Sequence, residues 1–167
     1  MKNINFSSKS KLVKFEIEID KPSLWKDHKI YFDGKTMNFF SKVIEETINK
    51  NILASFLLTD DTNIKLLNYK WRKKNSSTNV LSFPVNSFLK EDKYFFIGDI
   101  VLSYDTIFKE CKKRKISFKD HFIHLCLHGM LHLLGFDHKD KKDEKVMECT
   151  EIKFLSSINI QNPYLID

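Results

Sequence analysis

Nowhere in the 167 residues do apolar side chains run together for the length of about 18 that a membrane-spanning helix requires. The opening stretch, MKNINFSSKSKLVKFEIEID, also lacks the continuous apolar segment of a secretory signal. The expected compartment is therefore the cytoplasm, with no membrane partner. Cysteine is scarce: Cys111, Cys126 and Cys149 are odd in number and show no CxxC spacing, which excludes a disulfide framework and a thiolate zinc knuckle. Arginine is scarcer still, with Arg72 and Arg114 the only two among 28 Lys and Arg residues. The net charge of +6 suits a polyanionic partner, because Lys and Arg neutralise phosphates and release counterions. A lysine-dominated balance with much Asn, Ile and Phe equally fits the codon bias of an AT-rich genome. No repeat, low-complexity segment or linker divides the chain, so residues 1–167 are expected to form a single domain.

Hydrophobic periodicity supplies the outline. Residues 12–19 alternate, with Val13, Phe15, Ile17 and Ile19 on one face and Lys14, Glu16 and Glu18 on the other, which predicts a half-buried strand. Residues 37–50 place Phe39, Phe40, Val43, Ile44 and Ile48 on one helical stripe. A second strand is predicted over 52–59. Asp60, Asp61 and Thr62 then offer an N-cap for a helix running to about Trp71, followed by the polar loop WRKKNSSTN. VLSFPV and FFIGDIVLSY read as two more strands around a charged turn at 90–93. Pro84 donates no ladder hydrogen bond, so its strand either ends there or lies at a sheet edge. Helices are predicted over 104–114, 119–134 and 141–155, the last buried along Val146, Met147, Thr150 and Phe154. The expected fold is α+β, a mixed sheet of about four strands packed with about five helices.

The segment HFIHLCLHGMLHLLGFDH holds five of the six histidines. Positions four apart share a helix face, so His128 and His132 can aim their imidazoles at one point. Gly135 permits the left-handed conformation that ends a helix, and the chain can turn back to bring in His138. Three neutral nitrogen ligands are the set that leaves zinc an open fourth position for water or substrate. One Zn2+ ion is expected, although copper, nickel or iron could take the same ligands. His121 and His124 lie one to two turns earlier on the same stripe. They could line a cleft or carry protons, but packing or solvation is the plainer reading for both, with His124 and Asp137 as candidate supports of the ligands. Cys126 faces away and reads as core.

The spacing HxxxHxxGxxH is also that of metzincin metalloproteases, whose glutamate after the first histidine is the general base. Here Gly129 stands at that position. Peptide hydrolysis needs that base to activate water and to protonate a poor amine leaving group, so its absence counts against a protease. A phosphodiester makes other demands, because cationic groups beside a metal stabilise charge on the phosphoryl oxygens directly. Arg72, flanked by Lys70, Lys73 and Lys74, is the candidate, against the simpler reading of a solvated basic loop.

Five blocks in order resemble the YbeY family of bacterial endoribonucleases: LNYKWR at 67–72, TNVLSFP at 78–84, GDIVLS at 98–103, HGMLHLLGFDH at 128–138 and NPY at 162–164. Asn79 stands where many relatives carry aspartate and is itself a familiar variant. The resemblance implies one metal ion on His128, His132 and His138, a functional arginine at Arg72, and a cytoplasmic role in maturing the small-subunit 3′ end of ribosomal RNA and in ribosome quality control. Ribosomal RNA and the ribosome or a pre-ribosomal particle are the partners it implies.

In the mechanism that follows, a zinc-bound water is the nucleophile, Arg72 holds the scissile phosphate, and Lys70, Lys73 and Lys74 guide the RNA. Attack by the RNA's own 2′-OH, leaving a cyclic phosphate, is equally allowed. No general base is identified. The alternative from another class is an RNA-binding assembly factor whose metal is mainly structural, and a metalloprotease-like hydrolase comes third.

Overall fold

Alternation along residues 13–19 is read directly in three dimensions. In the computed structural model, which describes residues 2–7, 12–26, 29–91 and 93–165, Val13, Phe15, Ile17 and Ile19 are buried and the residues between them half-buried. This strand, β2 (Val13–Ile19), pairs antiparallel with β1 (Lys2–Ser7) and parallel with β3 (Ile52–Thr59). β3 runs parallel to β5 (Tyr94–Ser103), which pairs antiparallel with β4 (Val80–Glu91). The sheet is mixed, in the order β1-β2-β3-β5-β4.

The four expected strands are present, and β1 is a fifth. It is short, polar and bonded on one side only, so it lacks the apolar run by which a buried strand announces itself. β4 does not stop at Pro84 but continues to Glu91, shortening the charged turn. Its place at the edge lets a residue without an N–H sit in the ladder. Opposite Pro84 is Gly98, whose φ is +137° and where a Cβ would fall 2.3 Å from the Phe83 carbonyl. Only glycine fits that close approach.

Among the described residues six α-helices accompany the sheet: α1 (Pro22–Trp25), α2 (Gly34–Thr47), α3 (Asp61–Arg72), α4 (Tyr104–Arg114), α5 (Phe118–Leu133) and α6 (Lys141–Ser156). The brief α1 and a 3-10 turn at Lys29–Phe32 are too short to carry a periodicity. α2 begins at Gly34, three residues ahead of the predicted start, because Asp33 caps it by accepting from the Thr36 N–H. Arg72 is the last residue of α3 rather than part of the loop, and Lys73 ends the helix in the left-handed conformation.

The main core joins one sheet face to α2 and α5. Phe15 lies 5.3 Å from Phe40 and 4.7 Å from Phe56, ring centre to ring centre, and Phe32 bridges to Phe122 of α5 at 5.3 Å. Each such buried side chain contributes about 1.5–3 kcal/mol. α5 is buried on nearly every side. A smaller cluster of Ile64, Leu81 and Val101 seats α3 on the opposite face. Beside it, Glu16, Glu18, Asp99 and Trp71 line a groove of about 890 Å3.

Along α6 the expected stripe is corrected. Met147 and Phe154 are buried, but Val146 is 50% exposed, and the position between them is taken by Glu151, with no exposed surface at all. A charged residue on a core stripe needs internal partners.

Candidate metal centre

Two helical turns of α5 and the loop after it bring three imidazoles together. His128 and His132, four residues apart, have ring centres 4.6 Å from each other. Gly135, with φ of +93°, ends the helix: its N–H donates to the His132 carbonyl and the Phe136 N–H donates to the Leu131 carbonyl. That pair of bonds is the Schellman stop. It returns the chain so that the His138 ring lies 4.9 Å from that of His132. One ligand-capable atom from each of the three histidines lies within 4.8 Å of the others. The three expected ligands are thus gathered at one point.

The hydrogen bonds of the pair fix which nitrogens face that point. His128 Nδ1 lies 2.8 Å from Glu151 Oε1, and His132 Nδ1 lies 3.0 Å from the Phe136 carbonyl. A carboxylate and a carbonyl only accept, so both Nδ1 atoms carry the hydrogen, and in a neutral ring each Nε2 is left with a lone pair. Those two Nε2 atoms approach to 3.1 Å. Two lone pairs so close repel unless a cation stands between them. Nitrogens each about 2.0–2.1 Å from one tetrahedral zinc ion would lie about 3.3–3.4 Å apart. The donor set therefore fits such an ion. Burial first, and then the neighbouring His128 and His138, push the His132 pKa below its usual 6.5, favouring the neutral, ligating form. Among the described residues no other His, Cys, Asp or Glu joins the group.

The remaining histidines are placed differently. His121 is buried, with Nε2 2.7 Å from Glu110 Oε2, and Glu110 also accepts from Asn79 Nδ2 at 3.1 Å. His124 Nε2 lies 2.8 Å from Glu151 Oε2. Neither joins the triad, but His124 shares a carboxylate with one of its members. Burial would raise the pKa of Glu151, yet the hydrogen bonds from His124 and His128 outweigh it and hold it at about 2. Tyr164 Oη donates to the same carboxylate at 2.5 Å, and Arg114 anchors that terminal segment through the Pro163 carbonyl. Among the described residues no hydrogen bond joins Asp137 to a ring of the triad. Asp137 accepts from the His138 backbone N–H at 2.8 Å and pairs with Lys139 at 2.7 Å, so it shapes the loop.

Glu151 and Tyr164 escape a reading by ligand spacing, because they contact a histidine and not the metal point. The signal for Glu151 was its place four residues after Met147 and three before Phe154, on the buried stripe. A cleft of about 550 Å3 opens beside His128 and is bordered by Lys113, Arg114 and Tyr164. Arg72 and Lys70, Lys73 and Lys74 lie at the exposed end of α3. Among the described residues no hydrogen bond or ion pair connects them to the histidines. Lys73 Nζ caps the Lys70 carbonyl at 3.2 Å and Lys70 lies over the Trp71 ring.

Gly129 has a packing reason. A Cβ there would come within 3.1 Å of Ile100 and of Ser82 Oγ, so the helix meets the sheet at the position where a metzincin carries its base.

Comparison with known proteins gives the family. The model of a family described as Endoribonuclease YbeY matches residues 25–159. The chain is similar to the Endoribonuclease YbeY of Buchnera aphidicola (subsp. Acyrthosiphon pisum), with 40% identity covering 77% of this chain and 84% of that one. It is also similar to that of Ehrlichia chaffeensis, with 38% identity covering 79% and 88%. In fold it resembles the solution structure of TM1509 from Thermotoga maritima, at a TM-score of 0.55 and 22% identity over 85% of this chain and 88% of that one. No helix among the described residues is long and apolar enough to cross a membrane. With the family model spanning most of the chain and close relatives along nearly their whole length, this protein belongs to the YbeY family.

Proposed function

We propose that the chain is a single-domain, zinc-dependent endoribonuclease that cleaves single-stranded regions of ribosomal RNA in the cytoplasm, in small-subunit 3′-end maturation and ribosome quality control. The observation that carries the reading is the pair of Nε2 lone pairs 3.1 Å apart with His138 beside them, on a helix whose ligand spacing is metzincin-like. A divalent ion held there supplies Lewis acidity and activates water near neutral pH. With three histidines and no fourth protein ligand among the described residues, the site favours a catalytic over a purely structural metal. The packing at Gly129 speaks against a protease, since a side chain there would press on Ile100 and Ser82. Family membership supports RNA as the substrate.

In this reading His128, His132 and His138 hold the ion, and Arg72 binds the scissile phosphate and offsets the charge that builds on it. Lys70, Lys73 and Lys74 attract the RNA backbone. Lys113 and Arg114, on the cleft beside His128, extend the cationic surface.

The test compares wild type, Arg72→Ala and His128→Ala on structured ribosomal RNA, with metal content and product ends measured. Arg72→Ala keeps one zinc and slows cleavage by about 10²-fold, whereas His128→Ala loses both zinc and cleavage. Activity surviving unchanged in both variants would remove this site from the reaction.

A further inference from the structure

Glu151 is a carboxylate with no exposed surface. It collects three donors from two parts of the chain: His128 Nδ1 on Oε1 at 2.8 Å, and His124 Nε2 at 2.8 Å and Tyr164 Oη at 2.5 Å on Oε2. A buried carboxylate this well satisfied would serve to pin α6 to α5 wherever it sat. What distinguishes it is the partner on Oε1. Of the two helical histidines of the triad, His132 leans on a backbone carbonyl, while His128 leans on a carboxylate.

We propose that Glu151 is a positioning residue of the metal centre, turning the His128 ring so that Nε2 faces the ion and setting a counter-charge behind three neutral imidazoles. The proposal rests on the metal reading of the three histidines. An ionised carboxylate accepts and never donates, so the His128 nitrogen against it must be N–H. The opposite nitrogen is then committed to the ion. A carboxylate behind a ligating histidine also makes the imidazole a stronger donor, and loss of such a partner weakens metal binding by roughly 10–100-fold. No other carboxylate among the described residues hydrogen-bonds to a ring of the triad. Glu110 of α4, which holds His121 at 2.7 Å, supplies an internal control, because it too pairs a carboxylate with a histidine of α5, but one outside the triad.

The experiment is competition for zinc between a chromophoric chelator and the full chain, measured for wild type, Glu151→Gln and Glu110→Gln. Glu151→Gln is expected to raise the zinc Kd about 10–100-fold while Glu110→Gln stays within about twofold of wild type. Undiminished affinity in Glu151→Gln, or equal losses in the two variants, would overturn the proposal and leave Glu151 a packing residue. Should Glu151→Gln not fold, zinc-loaded wild type decides through the 15N signals of its histidines. Zinc on Nε2 of His128 with a proton on Nδ1 supports the proposal, and zinc on Nδ1 refutes it. Wild type that takes up no zinc would end the metal reading and this one together, whereas normal zinc uptake by Glu151→Gln ends this one alone.

Discussion

Asp61 and Asp105 show what a single carboxylate does away from the metal. Asp61 Oδ1 accepts from Ser103 Oγ at 2.7 Å and Thr106 Oγ1 at 2.5 Å, and Oδ2 accepts from Lys109 Nζ at 2.8 Å. Asp105 returns the bond by accepting from the Asp61 backbone N–H at 3.0 Å. Two helix starts thus cap each other, each with a negative side chain near the positive end of the other's dipole. Burial alone would raise the pKa of Asp61, but the Lys109, Thr106 and Ser103 bonds outweigh it and hold the native value below the ordinary 3.8. Because the native pKa is the lower one, the stabilisation is complete above the unfolded value and disappears as pH falls through the native value. Asp61→Asn should therefore lower stability by about 1–2 kcal/mol at neutral pH. Urea midpoints measured down the pH scale should show the gap between variant and wild type closing in acid.

Helix ends are where element-scale stability can be adjusted without touching the site. α4 terminates at Lys115, an exposed residue in the left-handed conformation with φ of 54°. A non-glycine residue there carries a strain of about 1 kcal/mol, so Lys115→Gly should raise stability by about 0.5–1 kcal/mol despite the extra freedom of the unfolded chain. A higher urea midpoint with an unchanged slope is the expected readout. The same elements show how far a linear reading reaches. The cap at Asp60, the glycine stop at Gly135 and the four longer strands were legible because each depends on residues adjacent in the chain. Arg72 fell on the wrong side of a helix end, since the left-handed cap is made by a lysine and carries no glycine to mark it. Val146 was misjudged because helical phase decides which of two neighbours turns inward, and the partners that admit Glu151 come from α5 and the terminal segment.

Across the whole molecule the charge is unevenly shared. Glu16, Glu18 and Asp99 border the groove on one sheet face, while Lys113 and Arg114 stand beside the histidines on the other side. The overall balance of +6 hides that division, which a composition cannot express. Lys113→Ala is expected to weaken RNA binding about equally for all sequences and to reduce the salt dependence by roughly one counterion. Titrations over a range of salt concentrations would measure it, and an unchanged slope would place the backbone contact elsewhere.

The three ligands are all present once residue 138 has been made, yet the carboxylate behind His128 follows on α6 and the hydroxyl that completes its shell follows later still, on Tyr164. The triad lies within eleven consecutive residues of one helix and the loop after it, whereas the carboxylate behind His128 comes from α6 and the Tyr164 hydroxyl from the segment beyond, so the arrangement around His128 is complete only where α6 is docked on α5.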